Sequence, residues 1–148
     1  MDNLGLVHWH VDASFAVHAD MKSHTGGTMS LGRGSIIDTS QKQTINTRNS
    51  TEAELVGCDD VVTCMQWAQL FVETQVYSYK TVLHQDNEVA MRLELNGKRS
   101  SSKRTRHLNI RSFYITDQLD QGWLTVQHCQ TEDMIGDFFT KPLQGELF

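Results

Sequence analysis

Residues 51 to 74 carry one uninterrupted apolar stripe, and the rest of the fold has to be arranged around it. Leu55, Cys58, Val62, Met65, Ala68 and Val72 recur at spacings of three and four, the period of an α-helix buried along one side. The segments before and after it keep a different period. Over residues 6–14, Val7, Trp9, Val11 and Ala13 alternate with Leu6, His8, His10 and Asp12, which predicts a strand. Ser23-His24-Thr25-Gly26-Gly27 has the composition of a turn. Thr28 to Leu31 and Ser35 to Thr39 then read as two short strands around Gly32-Arg33-Gly34, and Gln41 to Asn49 reads as a polar loop.

Beyond the long helix, Val82 to Asp86 is expected to be a buried strand. A short helix follows through Val89, Ala90, Leu93 and Leu95, stopped at Asn96-Gly97. A helix over about 106–120 ends at Gly122, Trp123 to His128 is a strand, and a last helix is predicted over about 132–140. The order β-β-β-α-β-α-α-β-α implies an α/β fold. It predicts a five-stranded mixed sheet, three antiparallel strands and then parallel ones, with helices on both faces. No repeat, low-complexity tract or long linker divides the 148 residues, so residues 1–148 are expected to form one domain.

Composition narrows the class. Apolar residues make up 39% and charged residues 21%, ordinary values for a globular fold. No stretch approaches the ~20 apolar residues of a membrane span, and the start of the chain lacks a signal-peptide pattern. Cys58, Cys64 and Cys129 are odd in number and have no metal-type spacing, which suits reduced thiols inside a cell. The net charge of −5 argues against a nucleic-acid partner, but its distribution argues the other way. Lys98, Arg99, Lys103, Arg104 and Arg106 fall within nine residues, leaving 8 basic against 18 acidic residues elsewhere. An acidic body with one basic loop suits a metal-using enzyme acting on a polyanion, and equally a solvated surface loop.

Four acids stand where separate elements could deliver them to one place. Asp12 lies in the first strand, Glu54 in the first turn of the long helix, Asp86 at the end of the middle strand and Asp137 in the last helical stretch. Each also has a local explanation. Asp12 could begin a turn, as Asp20 or Asp38 could. Thr51-x-x-Glu54 fits a capping box, Asp86-Asn87 could cap the helix it precedes, and Asp133 competes with Asp137. Together, oxygen ligands from four elements suit magnesium, because so many carboxylates in one cleft need cations. His8-x-His10-x-Asp12 offers a second option, a zinc or other metal hydrolase, but no further His/Cys cluster is evident to complete that site.

Five spellings carry a resemblance: Val11-Asp12-Ala13-Ser14-Phe15-Ala16; Asn49-Ser50-Thr51-Glu52-Ala53-Glu54-Leu55; His84-Gln85-Asp86-Asn87; Arg106-His107-Leu108-Asn109-Ile110-Arg111; and residues 131–143, ending Thr140-Lys141-Pro142-Leu143. In this order and spacing, over about residues 6–143, the chain resembles the ribonuclease H domain of copia-type retrotransposon polyproteins. The resemblance implies the ribonuclease H fold and hydrolysis of the RNA strand of an RNA/DNA hybrid. It implies two magnesium ions, with manganese as a substitute, at Asp12, Glu54, Asp86 and Asp137. Glu54 is preferred to Glu52 because it directly precedes the Leu of the helix motif. Asn49, Ser50, Thr51 and Asn87 would contact the hybrid, and Lys98, Arg99, Lys103, Arg104 and Arg106 would hold its phosphates. A reverse transcriptase in the parent polyprotein is the implied neighbour, with no membrane partner. The implied setting is cytoplasmic, within a polyprotein or virus-like particle, and the chain is then a piece of something longer. A hybrid-binding module with weak or absent catalysis, supporting that reverse transcriptase, is the alternative.

Two departures from the family pattern bear on activity. The histidine that many ribonucleases H carry in a loop before the last acid has no clear counterpart, because His128 is read as a strand residue. Gln130 and Gly136 stand where copia-type sequences usually have Pro and Ala. In a helix, Gly136 would cost about 1 kcal/mol relative to Ala and hold Asp137 less firmly.

Overall fold

The structure is a computed structural model and describes residues 5–32, 34–75, 78–96 and 114–141. The basic run Lys98 to Arg106 and most of the helix expected from 106 lie outside these residues. Five strands form one mixed sheet: β1 (Leu6–Ser14), β2 (His24–Ser30), β3 (Ser35–Lys42), β4 (Lys80–Gln85) and β5 (Leu124–His128), in the order β3-β2-β1-β4-β5. β1–β2 and β2–β3 are antiparallel, while β1–β4 and β4–β5 are parallel. Helix α1 (Ser50–Thr74) provides the crossover into β4, and α2 (Glu88–Asn96) follows that strand. Residues 114–120 are helical, and Gly122 leaves that helix at φ +78°, a conformation suited to glycine.

Alternation along β1 sorts its side chains onto two faces. Val7, Trp9 and Val11 are buried against Cys58, Val61, Met65 and Ala68 of α1, with Leu83, Ile115 and Leu124 completing the core. Each large aliphatic or Met side chain fully buried here contributes about 1.5–3 kcal/mol. Among the described residues no helix is long and apolar enough to cross a membrane.

The other face is covered differently. In place of the α-helix expected over about 132–140, the chain makes two short 3-10 turns, Thr131–Asp133 and Ile135–Phe139, separated by extended Met134 (φ −75°, ψ 93°). Asp137 N bonds Met134 O and Thr140 N bonds Asp137 O, both with the three-residue reach of a 3-10 turn. This segment has to cross from the end of β5 to β1 and β2, and several close contacts fix it there. Met134 is buried, and a Cβ added at Gly136 would stand 3.1 Å from both Cβ and N of Asp12. The glycine therefore serves close approach to the sheet, and its helix propensity has no bearing on how Asp137 is held.

Close approach also explains the second departure from expectation. Ser23 to Gly27 resembles a turn, yet Thr25, Gly26 and Gly27 are interior residues of β2. The reversal occurs earlier, where Ala16 (φ 53°) and Met21 (φ 60°) take the left-handed conformation. A Cβ on Gly27 would meet Val61 of α1 at 3.0 Å. One on Gly26 would meet Thr140 Cγ2 at 2.6 Å, Phe139 Cβ at 2.8 Å and Gly136 O at 2.9 Å. One glycine lets the long helix approach, and the other seats the 3-10 segment. Gly26→Ala should therefore lower stability by about 1–3 kcal/mol in urea unfolding. Gly34→Ala, with nothing within 4 Å of the added carbon, should stay within about 0.5 kcal/mol of the parent. Equal midpoints for the two variants would contradict this reading.

Candidate metal centre

Parallel pairing brings the first two acids together. Asp12 lies beyond the β1–β4 ladder that ends at His10↔His84, and Asp86 follows Gln85, the last residue of β4. The two carboxylates thus leave the same end of adjacent strands. Glu54 comes from the first turns of α1, and its freedom depends on which residue caps that helix. Asn49 is the N-cap, its Oδ1 accepting from Glu52 N at 2.8 Å, and Glu52 Oε2 accepts in return from Arg48 N at 2.8 Å. The reciprocal cap uses Asn49 and Glu52 rather than Thr51 and Glu54. Glu54 is thereby left for the sheet edge.

Asp12, Glu54 and Asp86 each present a carboxylate oxygen within 4.8 Å of the others. Asp12 and Glu54 are buried. Glu54 Oε2 is buried with no hydrogen-bond partner among the described residues. Burial first, then the charges of Asp12 and Asp86, push the Glu54 carboxyl up to about 9, against a backbone hydrogen bond at Ala13 and the Lys141 charge. Burial likewise raises Asp12, opposed by a Thr140 hydrogen bond and Lys141, and reinforced by Asp137 and Asp86. Three carboxylates packed so closely fit a divalent cation, which would use the unpartnered oxygen and remove their repulsion.

Asp137 occupies a neighbouring position. Its Oδ1 accepts from Lys141 Nζ at 2.6 Å, and the same ammonium lies 3.6 Å from Asp12 Oδ2. Burial disfavours the Lys141 cation, but the hydrogen bond to Asp137 and the charges of Asp12, Asp137 and Asp86 prevail and raise its pKa. Thr140 Oγ1 donates to Asp12 Oδ2, while Ser14 Oγ and Ser40 Oγ donate to the Thr140 and Phe139 carbonyls at 3.0 and 2.8 Å. The segment that brings Asp137 is therefore fastened to β1 and β3 through its backbone.

Asp86 is oriented from beneath. Gln85 Oε1 accepts from Asp86 N at 3.1 Å and Asn87 N at 3.4 Å, and Gln85 Nε2 donates to Cys58 Sγ at 3.3 Å. Thr131 Oγ1 donates to Asp86 Oδ2 at 3.4 Å. Thr140, Lys141, Thr131 and Gln85 are site residues that the sequence reading did not assign. The Thr140-Lys141-Pro142-Leu143 ending was the signal available for the first two.

The expected hybrid contacts divide. Asn49 and Asn87 serve as caps, Asn87 Oδ1 accepting from Val89 N and Ala90 N at 3.0 Å. Ser50 and Thr51 stand at the start of α1, at the same end as Glu54. Lys98, Arg99, Lys103, Arg104 and Arg106 fall outside the described residues. His128 is an exposed residue of β5.

The sequence matches curated polyproteins along almost its whole length. It is 32% identical over 145 residues to the retrovirus-related Pol polyprotein from transposon RE2 of Arabidopsis thaliana, an alignment covering 96% of this chain. The chain spans 10% of that relative's length. No protein-family model matches. Among solved structures, RNase H1 from Halobacterium salinarum aligns over 91% of this chain and 94% of its own, with a TM-score of 0.62 and 12% identity. The fold is the ribonuclease H fold. A second solved structure, LC11-RNase H1 in complex with RNA/DNA hybrid, aligns over 90% of this chain and 92% of its own, with a TM-score of 0.64 and 12% identity. The strand order and the change from antiparallel to parallel pairing after β1 are the features shared with this fold. The chain is thus a homologue of one stretch of plant-transposon Pol polyproteins, and in it Asp12, Glu54 and Asp86 form a group that could hold a metal ion.

Carboxylate crowding gives a pH signature in protein freed of divalent ions. A carboxyl whose pKa is raised on folding holds its proton in the native state after the unfolded chain has lost it. Its stabilising contribution is complete below the unfolded value and disappears as pH rises through the folded one. With Glu54 at about 9, thermal stability in chelator should fall from mildly acidic to alkaline pH. Glu54→Gln should flatten that fall. An unchanged slope in the variant would show that Glu54 is not the group responsible.

Proposed function

We propose that this chain hydrolyses the RNA strand of RNA/DNA hybrids during reverse transcription of a retrotransposon, as a single ribonuclease H domain of a longer polyprotein. One observation carries the reading. Asp12, Glu54 and Asp86, far apart in sequence, converge within 4.8 Å at one end of adjacent parallel strands in a ribonuclease H fold. The homology to transposon Pol polyproteins and the likeness to a structure holding an RNA/DNA hybrid support the substrate. The same homology supports a cytoplasmic particle or polyprotein setting.

Asp12, Glu54, Asp86 and Asp137 would hold two magnesium ions, or manganese in their place. The chemistry supplied at that site would be activation of water for in-line attack on the scissile phosphate and stabilisation of the leaving 3′ oxygen. Asp12 comes from the central strand and is aligned by Thr140, which makes it the best-fixed of the four. Glu54 would also accept a hydrogen bond from the ribose 2′-hydroxyl, which separates RNA from DNA. Lys141 neutralises Asp12 and Asp137 in this structure, and its ammonium would compete with bound cations for their carboxylates. Ser50 and Thr51 at the start of α1, together with the cap residues Asn49 and Asn87, would face the minor groove. The run Lys98, Arg99, Lys103, Arg104 and Arg106 would contact phosphates without sequence preference.

The Lys141 ammonium also favours a second reading, a hybrid-binding module whose acids stay paired and whose catalysis is weak. Cleavage of end-labelled hybrid with magnesium and with manganese separates the two. The proposal expects cutting of the RNA strand only, 5′-phosphate and 3′-hydroxyl ends, and loss of cutting in Asp12→Asn. Hybrid binding with no cleavage under either metal would favour the module. Cutting by Asp12→Asn at the parental rate would overturn the site.

Neutralising Lys103, Arg104 and Arg106 together should raise apparent KM and flatten the dependence of log affinity on log salt, by about 0.9 for each lost phosphate contact. Saturated turnover should change little. An unaltered salt slope would remove the loop from the binding surface.

A further inference from the structure

On the same sheet face as the acids, one turn of the strand pleat away, lies a second group of metal-binding side chains. His10 and His84 are register partners on the parallel strands β1 and β4, two residues before Asp12 and Asp86. Cys129 follows β5, and its N bonds Gln85 O at 2.9 Å, continuing the β4–β5 ladder by one residue. One ligand atom from each of His10, His84 and Cys129 lies within 4.8 Å of the others. The sequence alone offered His8-x-His10 with nothing to complete it. The sheet supplies His84 and Cys129.

We propose that His10, His84 and Cys129 form a binding site for a borderline transition ion such as zinc, separate from the carboxylate site. Ligand chemistry separates the two centres. Two imidazoles and a thiolate select zinc or cobalt, whereas the carboxylates select magnesium and manganese. A further observation points to a ligand: His10 Nδ1 is buried and has no hydrogen-bond partner among the described residues. Coordination would satisfy a ring nitrogen buried in this way.

The neighbouring groups suit the role. His8 Nδ1 lies 2.9 Å from His84 Nε2, the place an outer partner takes beside a metal-bound histidine. The His10 and His84 rings stack with centroids 4.4 Å apart and an interplanar angle of 12°. Binding turns these rings about χ2 toward a common point, to reach bonds of about 2.0–2.1 Å to nitrogen and about 2.3 Å to sulfur. Strand pairing holds His10 and His84 as register partners, and the Cys129 N–H to Gln85 O bond holds Cys129 beside them. Cys129 Sγ, which donates weakly to Gln130 O at 3.4 Å, would release its proton to solvent as it binds. Three protein ligands leave a fourth position for water, and His10 and His84 are only half-buried on this face.

Cobalt(II) titration of the whole chain, with magnesium in excess to fill the carboxylates, tests the site without reference to nuclease activity. A near-ultraviolet thiolate-to-cobalt band should grow and saturate at one equivalent, accompanied by the visible bands of tetrahedral cobalt. Cys129→Ser should abolish the thiolate band. His10→Gln and His84→Gln should each weaken cobalt by about tenfold or more. Asp12→Asn, which damages the other centre, should leave the band intact. Zinc should raise Tm in the parent and in Asp12→Asn but not in Cys129→Ser, a substitution small enough to preserve the fold. Absence of the thiolate band, its survival in Cys129→Ser, or its loss in Asp12→Asn would each overturn the proposal.

Discussion

Mutual repulsion among three carboxylates governs this molecule's chemistry. Asp12 and Asp86 leave adjacent parallel strands at the same end, and Glu54 approaches from α1 with one oxygen buried and unpartnered among the described residues. Nothing in that arrangement is favourable unless positive charge or protons enter it. The fold supplies one positive charge itself, the Lys141 ammonium between Asp137 and Asp12. A divalent ion at the three acids would offset the rest.

The surrounding architecture keeps these groups in place. The core on the α1 face fixes the long helix against β1, and Gly27 lets it come close enough for Glu54 to reach the sheet edge. On the opposite face Gly26 and Gly136 admit the 3-10 segment, whose Thr140 holds Asp12 directly. Three positions without a side chain thus allow two faces of one sheet to contribute to the same cleft. Gln85 performs the corresponding task for Asp86 through a side-chain turn at the end of β4.

Much of this was legible in the residues, and what was missed has physical causes. The α1 stripe and the β1 alternation are long, strongly periodic signals, so those elements and the mixed character of the sheet could be read directly. Residues 23–27 were misjudged because glycine marks close approach as readily as it marks a turn, and only the partner across the gap distinguishes the two. The final segment was expected as an α-helix because its apolar residues permit one. Its real conformation follows from contacts with Asp12, Gly26 and Ser14, more than a hundred residues away in sequence. Glu54 and Glu52 were separable only through the family spelling, and the structure gives the cause: Asn49 and Glu52 cap α1 and leave Glu54 free. The pairing of His10 with His84 and Cys129 was invisible because register is a property of the sheet.

Calorimetric titration with manganese measures whether Asp12, Glu54 and Asp86 act as one cation site. The account predicts saturable binding accompanied by proton release near neutral pH, since the raised carboxyls must ionise to ligate. It also predicts loss of that binding in Asp12→Asn/Asp86→Asn. Manganese bound as tightly by the double variant as by the parent chain would contradict the account.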